Sequence, residues 1–298
     1  MVKNSMHSHD KIYRSKIVPG KVKSADANSE LEFTERRQRI RTVETPPSTL
    51  SKFFIEVASV TTFTFRFFKE VFKPRYEFSE IMKQSYLIGY KTFPLVAITG
   101  FIIGLVLTIQ TRPTLAAFGA ESWLPAMVAV SIIREIGPVI TSLIFAGKVG
   151  SGIGAELASM NVTQQIDAMQ VSGTNPFKYL VVTKILATTL MLPILVILAD
   201  VIGLLGSFVG VNIKGNVSVG LFFSQVFQSV SYQDLFPAII KTFLFGFAIG
   251  LVGCYKGYYS DKGTEGVGKA ANSAVVVASL MVFIIDMIAV QITSMLQY

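Results

Sequence analysis

The chain has 298 residues, 51% of them hydrophobic and only 15% charged, with a mean hydropathy of +0.54. Soluble domains carry roughly 25% charged residues, so this composition points to lipid as the solvent. One cysteine, Cys254, excludes an intramolecular disulfide and a cysteine metal cluster, and both histidines, His7 and His9, lie near the N-terminus, which leaves the apolar body without imidazole chemistry.

The charge is uneven along the chain. Residues 1–93 hold 17 of the 27 Lys and Arg and 10 of the 19 Asp and Glu, so most of the net +8 lies in the first third. A basic segment ahead of an apolar body reads as a cytoplasmic tail facing anionic lipid. No nucleic-acid partner is expected, because these basic residues are interleaved with acids and form no recognisable module. Residues 1–47 are polar and aperiodic, ending at Pro46-Pro47, and are expected to be a disordered tail. Asp10, Asp26, Glu30, Glu32, Glu35 and Glu44 argue against a transit peptide, and the first apolar stretch begins too late for a signal peptide.

Residues 48–93 read as interfacial amphipathic helices. Over Leu50–Phe72, Lys52, Glu56, Ser59, Arg66, Lys69 and Glu70 oppose Phe53, Phe54, Val57, Val60, Phe67 and Val71 at helical spacing. Tyr76–Phe93 looks like a shorter lead-in. Residues 94–298 then form a five-span body, at about 20 apolar residues per crossing: Pro94–Ala117, Trp123–Gly147, Tyr179–Val211, Leu235–Tyr255 and Ser273–Leu296. The fold class is therefore all-α integral membrane. Lys148, Lys178, Lys184, Lys256, Lys262 and Lys269 flank one side, and Arg112, Lys214 and Lys241 the other. That bias predicts a cytoplasmic N-terminus and an outward C-terminus. Val219, Phe222, Phe223, Val226, Phe227 and Val230 predict a further interfacial helix in the outer 212–234 connection.

Several motifs invite a functional reading. Gly263–Ala270 nearly spells a phosphate-binding loop, but Ala270 stands where a hydroxyl should hold Mg²⁺, and an apolar helix precedes it. No cofactor is expected on this chain. Small-xxx-small pairs at Gly100/Gly104, Gly206/Gly210 and Gly246/Gly250 predict close helix approach, chiefly within the subunit. Charges inside the spans are more telling: Arg134, Glu135, Asp200, Lys241 and Asp286 each cost at least about 2.5–3.5 kcal/mol at the bilayer centre, and are kept for a pathway or an internal pair. Arg134 and Glu135, being adjacent, diverge by about 100°, and Lys241 lies near enough to its span start to snorkel. Leu107, Thr111, Thr114, Leu115 and Phe118 form one mainly apolar stripe on the first span. An apolar wall with a few charges suits a lipid better than an ion or a sugar. In the inner 148–178 connection, Asn161 is placed to cap a short helix with Val162, Ile166 and Met169 on one face, Gly173 to end it and Pro176 to block its continuation. Such a helix across the inner mouth could seat in a cytosolic motor domain.

The runs Arg134–Val139, Ala146–Leu157, Val162–Met169 and Asn175-Pro176 closely resemble the MlaE (YrbE-type) permease family, partners of MCE lipid-transfer proteins. The resemblance covers about residues 50–298. It implies a homodimer of five-span subunits in the cell inner membrane, two cytosolic ABC ATPase subunits, a periplasmic MCE-domain partner and a lipid substrate. It also implies that the chain is a transporter subunit and not an enzyme. By the same resemblance Arg134, Glu135, Lys241 and Asp286 match polar positions of a lipid cavity, and Leu107, Thr114, Leu115 and Phe118 its apolar wall. Glu156, Met160, Thr163, Gln165, Ile166, Asp167 and Met169 fall in a segment, 156–175, that matches a coupling helix docking on the ATPase. Two features depart from the family pattern: Gln164 replaces a usual Glu, and the 1–47 tail has no counterpart. A secondary transporter would need internal repeats and broken helices, and a membrane enzyme a catalytic cluster; neither pattern is visible.

Overall fold

The computed structural model describes residues 49–73, 77–213 and 215–297, so the expected 1–47 tail and Lys214 lie outside the described residues. Among the described residues there is no strand, and five helices are long and apolar enough to cross a membrane. The chain is a multi-pass, all-α membrane protein.

Among the described residues, eight helical elements follow in order. Helix α1 is Thr49–Val71 and α2 is Phe78–Ala117. Helix α3, Glu121–Val162, is one path made of α-helical pieces joined by π-helical turns at Ile132–Ile136 and Ala146–Gly150. A short helix α4, Gln165–Val171, precedes α5, Phe177–Asn212, whose first turns are also π-helical. Helices α6 (Val219–Ser229), α7 (Tyr232–Tyr258) and α8 (Thr264–Gln297) complete the chain. From Ser59 onward these residues form one unit.

The helices overrun the spans read from hydropathy. Helix α2 has 40 residues, about 60 Å at 1.5 Å per residue, and runs unbroken through the expected boundary at residues 93 and 94. The lead-in and the first span are thus one rod, because Pro94 still permits helix on both sides once the bond its missing N–H would make is given up. Helix α3 likewise continues to Val162, so Glu156 and Met160 ride on the end of the second spanning helix. Asn161 is therefore no cap. It sits in the last turn of α3 and donates from Nδ2 to the Ser260 carbonyl at 3.1 Å, tying the α3–α4 elbow to the α7–α8 connection. The elbow is two residues long and turns at Gln164, whose φ of 58° is left-handed. Gly173, at φ 80°, ends α4 as its position requires, with the Thr174 N–H donating to the Met169 carbonyl at 3.0 Å. Pro176 caps the start of α5.

Backbone contact makes the seam between α2 and α5. A Cβ on Gly104 would collide with the Gly203 carbonyl, and one on Gly206 with the Phe101 carbonyl. Thr108 Oγ1 donates to Ser207 Oγ at 2.8 Å in the middle of this seam. Gly246 and Gly250 meet Thr188 and Ile185 of α5 in the same way. All three small-xxx-small pairs are therefore used within the subunit. The larger core gathers Phe145, Leu157, Phe177, Ile185, Leu192, Phe245 and Ile249 from α3, α5 and α7, with Phe63 and Phe67 of α1 packed onto it. A second core joins Leu124, Val128 and Ile132 of α3 to Leu204 of α5 and to Phe222 and Val226 of α6.

A branched side chain at Gly104 must push α2 off α5. We expect Gly104→Val to lower the thermal midpoint of the detergent-purified protein by an amount equivalent to about 1–3 kcal/mol. Gly152→Ala, where a Cβ meets no atom within 4 Å, should leave it unchanged. Equal midpoints in the two variants would contradict this packing.

Candidate functional site

Lys241 is the hinge of the site. Its side chain, only 5% exposed, reaches Glu135 Oε2 at 2.6 Å and Asp286 Oδ1 at 3.0 Å. One ammonium thus joins α3, α7 and α8. It does not snorkel: it lies nine residues into α7, about 14 Å along the helix, and is buried. The neighbouring Arg134 pairs with Asp234 Oδ1 at 3.5 Å. Arg134 and Glu135 diverge as adjacent helical residues must, yet both find partners on α7, two turns apart.

Local sequence explains why these two residues face α7. Pro138 has no N–H, so the helix cannot close its usual bond to the Arg134 carbonyl. The path widens into the π-turn Ile132–Ile136, in which the Gly137 N–H donates to the Ile132 carbonyl. Single π-turns inside α-helices are frequent at functional sites; this one carries Arg134 and Glu135. Asp234, which the sequence reading passed over, does two jobs. It completes a capping box with Ser231 at the start of α7, its Oδ2 accepting from the Ser231 N–H at 3.3 Å, and it holds Arg134 through the other oxygen. The Ser231-x-x-Asp234 spacing was the available signal.

Through Lys241 the cluster borders a cleft between α7 and α8. The cleft has a volume of about 770 Å³ and is lined by Tyr232, Phe236, Ile240, Leu244, Ile285, Ile288 and Ile292, with Gln233, Lys241 and Thr293 as its polar members. A small recess beside it is shared by Arg134, Glu135, Asp234 and Lys241. Asp200 of α5 stands apart, its carboxylate against Gly137 and its Oδ1 buried without a hydrogen-bond partner.

The expected apolar wall on the first span does not line this cleft within the subunit. Leu107 and Leu115 pack inward on the second core, whereas Thr114 is exposed and Phe118 is 82% exposed at the helix end. Phe118 lies past the last turn of α2.

At the opposite end of the bundle, α4 crosses between two supports. On one side, Asn175 Nδ2 donates to Glu70 Oε2 of α1 at 3.2 Å, and Arg66 of α1 lies 4.2 Å over the Phe177 ring. On the other stands the Asn161–Ser260 tie. Ile166 is 5% exposed and belongs to the subunit's own core, with Met169 and Met160 packed against that core. The apolar face of α4 therefore faces its own bundle, which corrects the expectation that Ile166 and Met169 present it to a partner. The residues turned outward are Thr163 in the elbow and Gln165, Asp167, Gln170 and Val171 on α4, the last 91% exposed. Glu156 pairs at 2.8 Å with Lys184, whose side chain is 2% exposed and which also donates to Gln84 at 3.2 Å. Lys184 and Lys241 are thus interior residues, and the basic bias between the two sides persists when one is removed from each.

Taking away the central ammonium would leave Glu135 and Asp286 facing each other across the bundle. We expect Lys241→Met to cost about 3–5 kcal/mol, read as a lower thermal midpoint, with part of the loss regained in Lys241→Met/Glu135→Gln. An unchanged midpoint in Lys241→Met would contradict the geometry.

Comparison with known proteins places the chain. The family model for Permease MlaE matches residues 81–292. A probable ABC transporter permease protein of Rickettsia typhi is 39% identical over 233 residues, covering 78% of this chain and 90% of that protein. One of Synechocystis is 32% identical over 235 residues, covering 79% and 89%. The intermembrane phospholipid transport system permease protein MlaE of Haemophilus influenzae is 35% identical over 216 residues, covering 72% and 82%. With a family match across most of its length and these relatives, the chain belongs to the MlaE permease family.

Proposed function

We propose that this chain is the transmembrane subunit of an ABC-type transporter that moves phospholipids or related lipids between the inner membrane and the outer envelope. The observation that carries the lipid reading is the α7–α8 cleft: its walls are mainly apolar, and the ion-paired Lys241 is among its few polar members, which suits an amphiphile with one polar end. The Haemophilus influenzae relative, named for intermembrane phospholipid transport, supports the same class of substrate.

The work is done by a partner. The near phosphate-binding run at Gly263–Ala270 begins helix α8 directly after α7, without the strand that such a loop follows. A cytosolic ABC ATPase subunit therefore supplies nucleotide chemistry, a periplasmic MCE-domain protein takes or delivers the lipid, and two copies of this chain form the permease. The basic bias supports a cytoplasmic position for the N-terminus and α4 and a periplasmic one for the C-terminus. In this reading ATP-driven closure of the motor subunits pushes on α4 and on the end of α3. The continuous path of α3 carries that displacement to Glu135, where it alters the grip on Lys241 and the lipid.

The outward face of α4 is the contact to test. Val171→Asp should abolish co-purification of the ATPase subunit while changing stability by no more than about 0.5 kcal/mol, as for other exposed sites. Ile166→Asp should instead destabilise the subunit itself, since it buries a charge. Normal ATPase recovery with Val171→Asp would refute docking on this face.

A further inference from the structure

Asp200 stays outside the ion cluster. Among the described residues it makes no hydrogen bond and no ion pair, and its Oδ1 is buried. It borders a recess of about 20 Å³ between α3, α5 and α7, walled mainly by Pro193, Val196, Ile197, Leu235 and Ile239. The polar groups on this recess are acceptors. Thr242 already donates its hydroxyl proton to the Ile239 carbonyl at 2.6 Å. On the π-turn the Gly137 N–H goes to the Ile132 carbonyl and Pro138 has none, so the Ile133 carbonyl keeps no helical donor. Asp200 Oδ1 meets this turn directly, since a Cβ on Gly137 would collide with it.

Buried acceptors without a donor are costly, and a buried carboxylate without a partner is costlier still. The recess has space for about one water, which excludes a solvated ion. Nor is a side-chain cation at hand. Lys241, which acts on Asp200 from α7, is held by Glu135 and Asp286, and Arg134 is held by Asp234. We propose that Asp200 is a proton-binding site, whose neutral carboxyl donates to the Ile133 carbonyl and pins the widened turn of α3 to α5. That turn carries Arg134 and Glu135, so the proton fixes where both side chains meet α7. Without it the turn is free, and a third acid competes with Glu135 for Lys241. This role holds whatever the cleft binds.

The test uses the full-length protein, purified in detergent at neutral pH. The infrared difference spectrum of wild type minus Asp200→Asn should show the carbonyl stretch of one protonated carboxyl. Asp200→Asn, whose amide N–H can donate to the same carbonyl, should keep the wild-type thermal midpoint. Asp200→Leu should lower it by about 5 °C, the scale of one buried carbonyl left without a donor. A difference spectrum showing an ionised carboxylate, or no carboxyl band, overturns the proposal. So does a midpoint in Asp200→Leu at or above that of the wild type, the result expected if an ionised acid were removed. Failure of Asp200→Asn to fold overturns it as well, because that variant keeps the donor.

Discussion

The structure depends on one ammonium held between two carboxylates inside an apolar bundle. Lys241 draws Glu135 of α3 and Asp286 of α8 onto α7, and in a medium that cannot solvate them none of the three can leave alone. Desolvation makes such a cluster expensive. Its retention therefore points away from stability and toward use: the charges fix where three spanning helices meet and set Lys241 into the wall of a mainly apolar cleft. The glycine seam between α2 and α5 plays the complementary part. It is neutral and close-packed, and it gives the bundle a stiff side against which the cluster can be placed.

The two ends of the molecule are joined by continuous helix. From Glu135 to Val162 the chain never leaves α3, although two π-turns interrupt its regular ladder. At its far end Glu156 is clamped to Lys184, and the elbow beyond is tied to the α7–α8 connection. A push on α4 thus meets no loose loop on its way to the ion cluster. The π-turns mark where the path can change register, since a single widened turn is a local excess that a helix can move or expel.

The sequence made the fold class legible because lipid imposes a crude and strong constraint: about 20 apolar residues per crossing, five times over. The intramembrane charges were legible for the same reason, being costly enough to stand out. Their pairing was not. Which acid Lys241 meets depends on helix rotation, and the π-turn before Pro138 shifts that rotation in a way no hydrophobic period reports. Helix ends were also hidden, because α2 and α3 continue as polar helix beyond the bilayer, where composition resembles a loop. That is why Asn161 read as a cap and Glu156 as part of a connection. The orientation of α4 was lost on a finer point: an apolar stripe shows that something covers it, and here the cover is the subunit's own core around Ile166.

The central claim is that an amphiphile sits between α7 and α8 with its polar end at Lys241. A photoreactive side chain placed at Ile240, in the cleft wall, and another at Leu190, which is 49% exposed on α5, provide the direct comparison. Illumination of the detergent-purified protein should attach one co-purified phospholipid at position 240 and none at 190, read by intact-mass spectrometry. Attachment at 190 alone, or at neither position, would contradict a lipid held in this cleft.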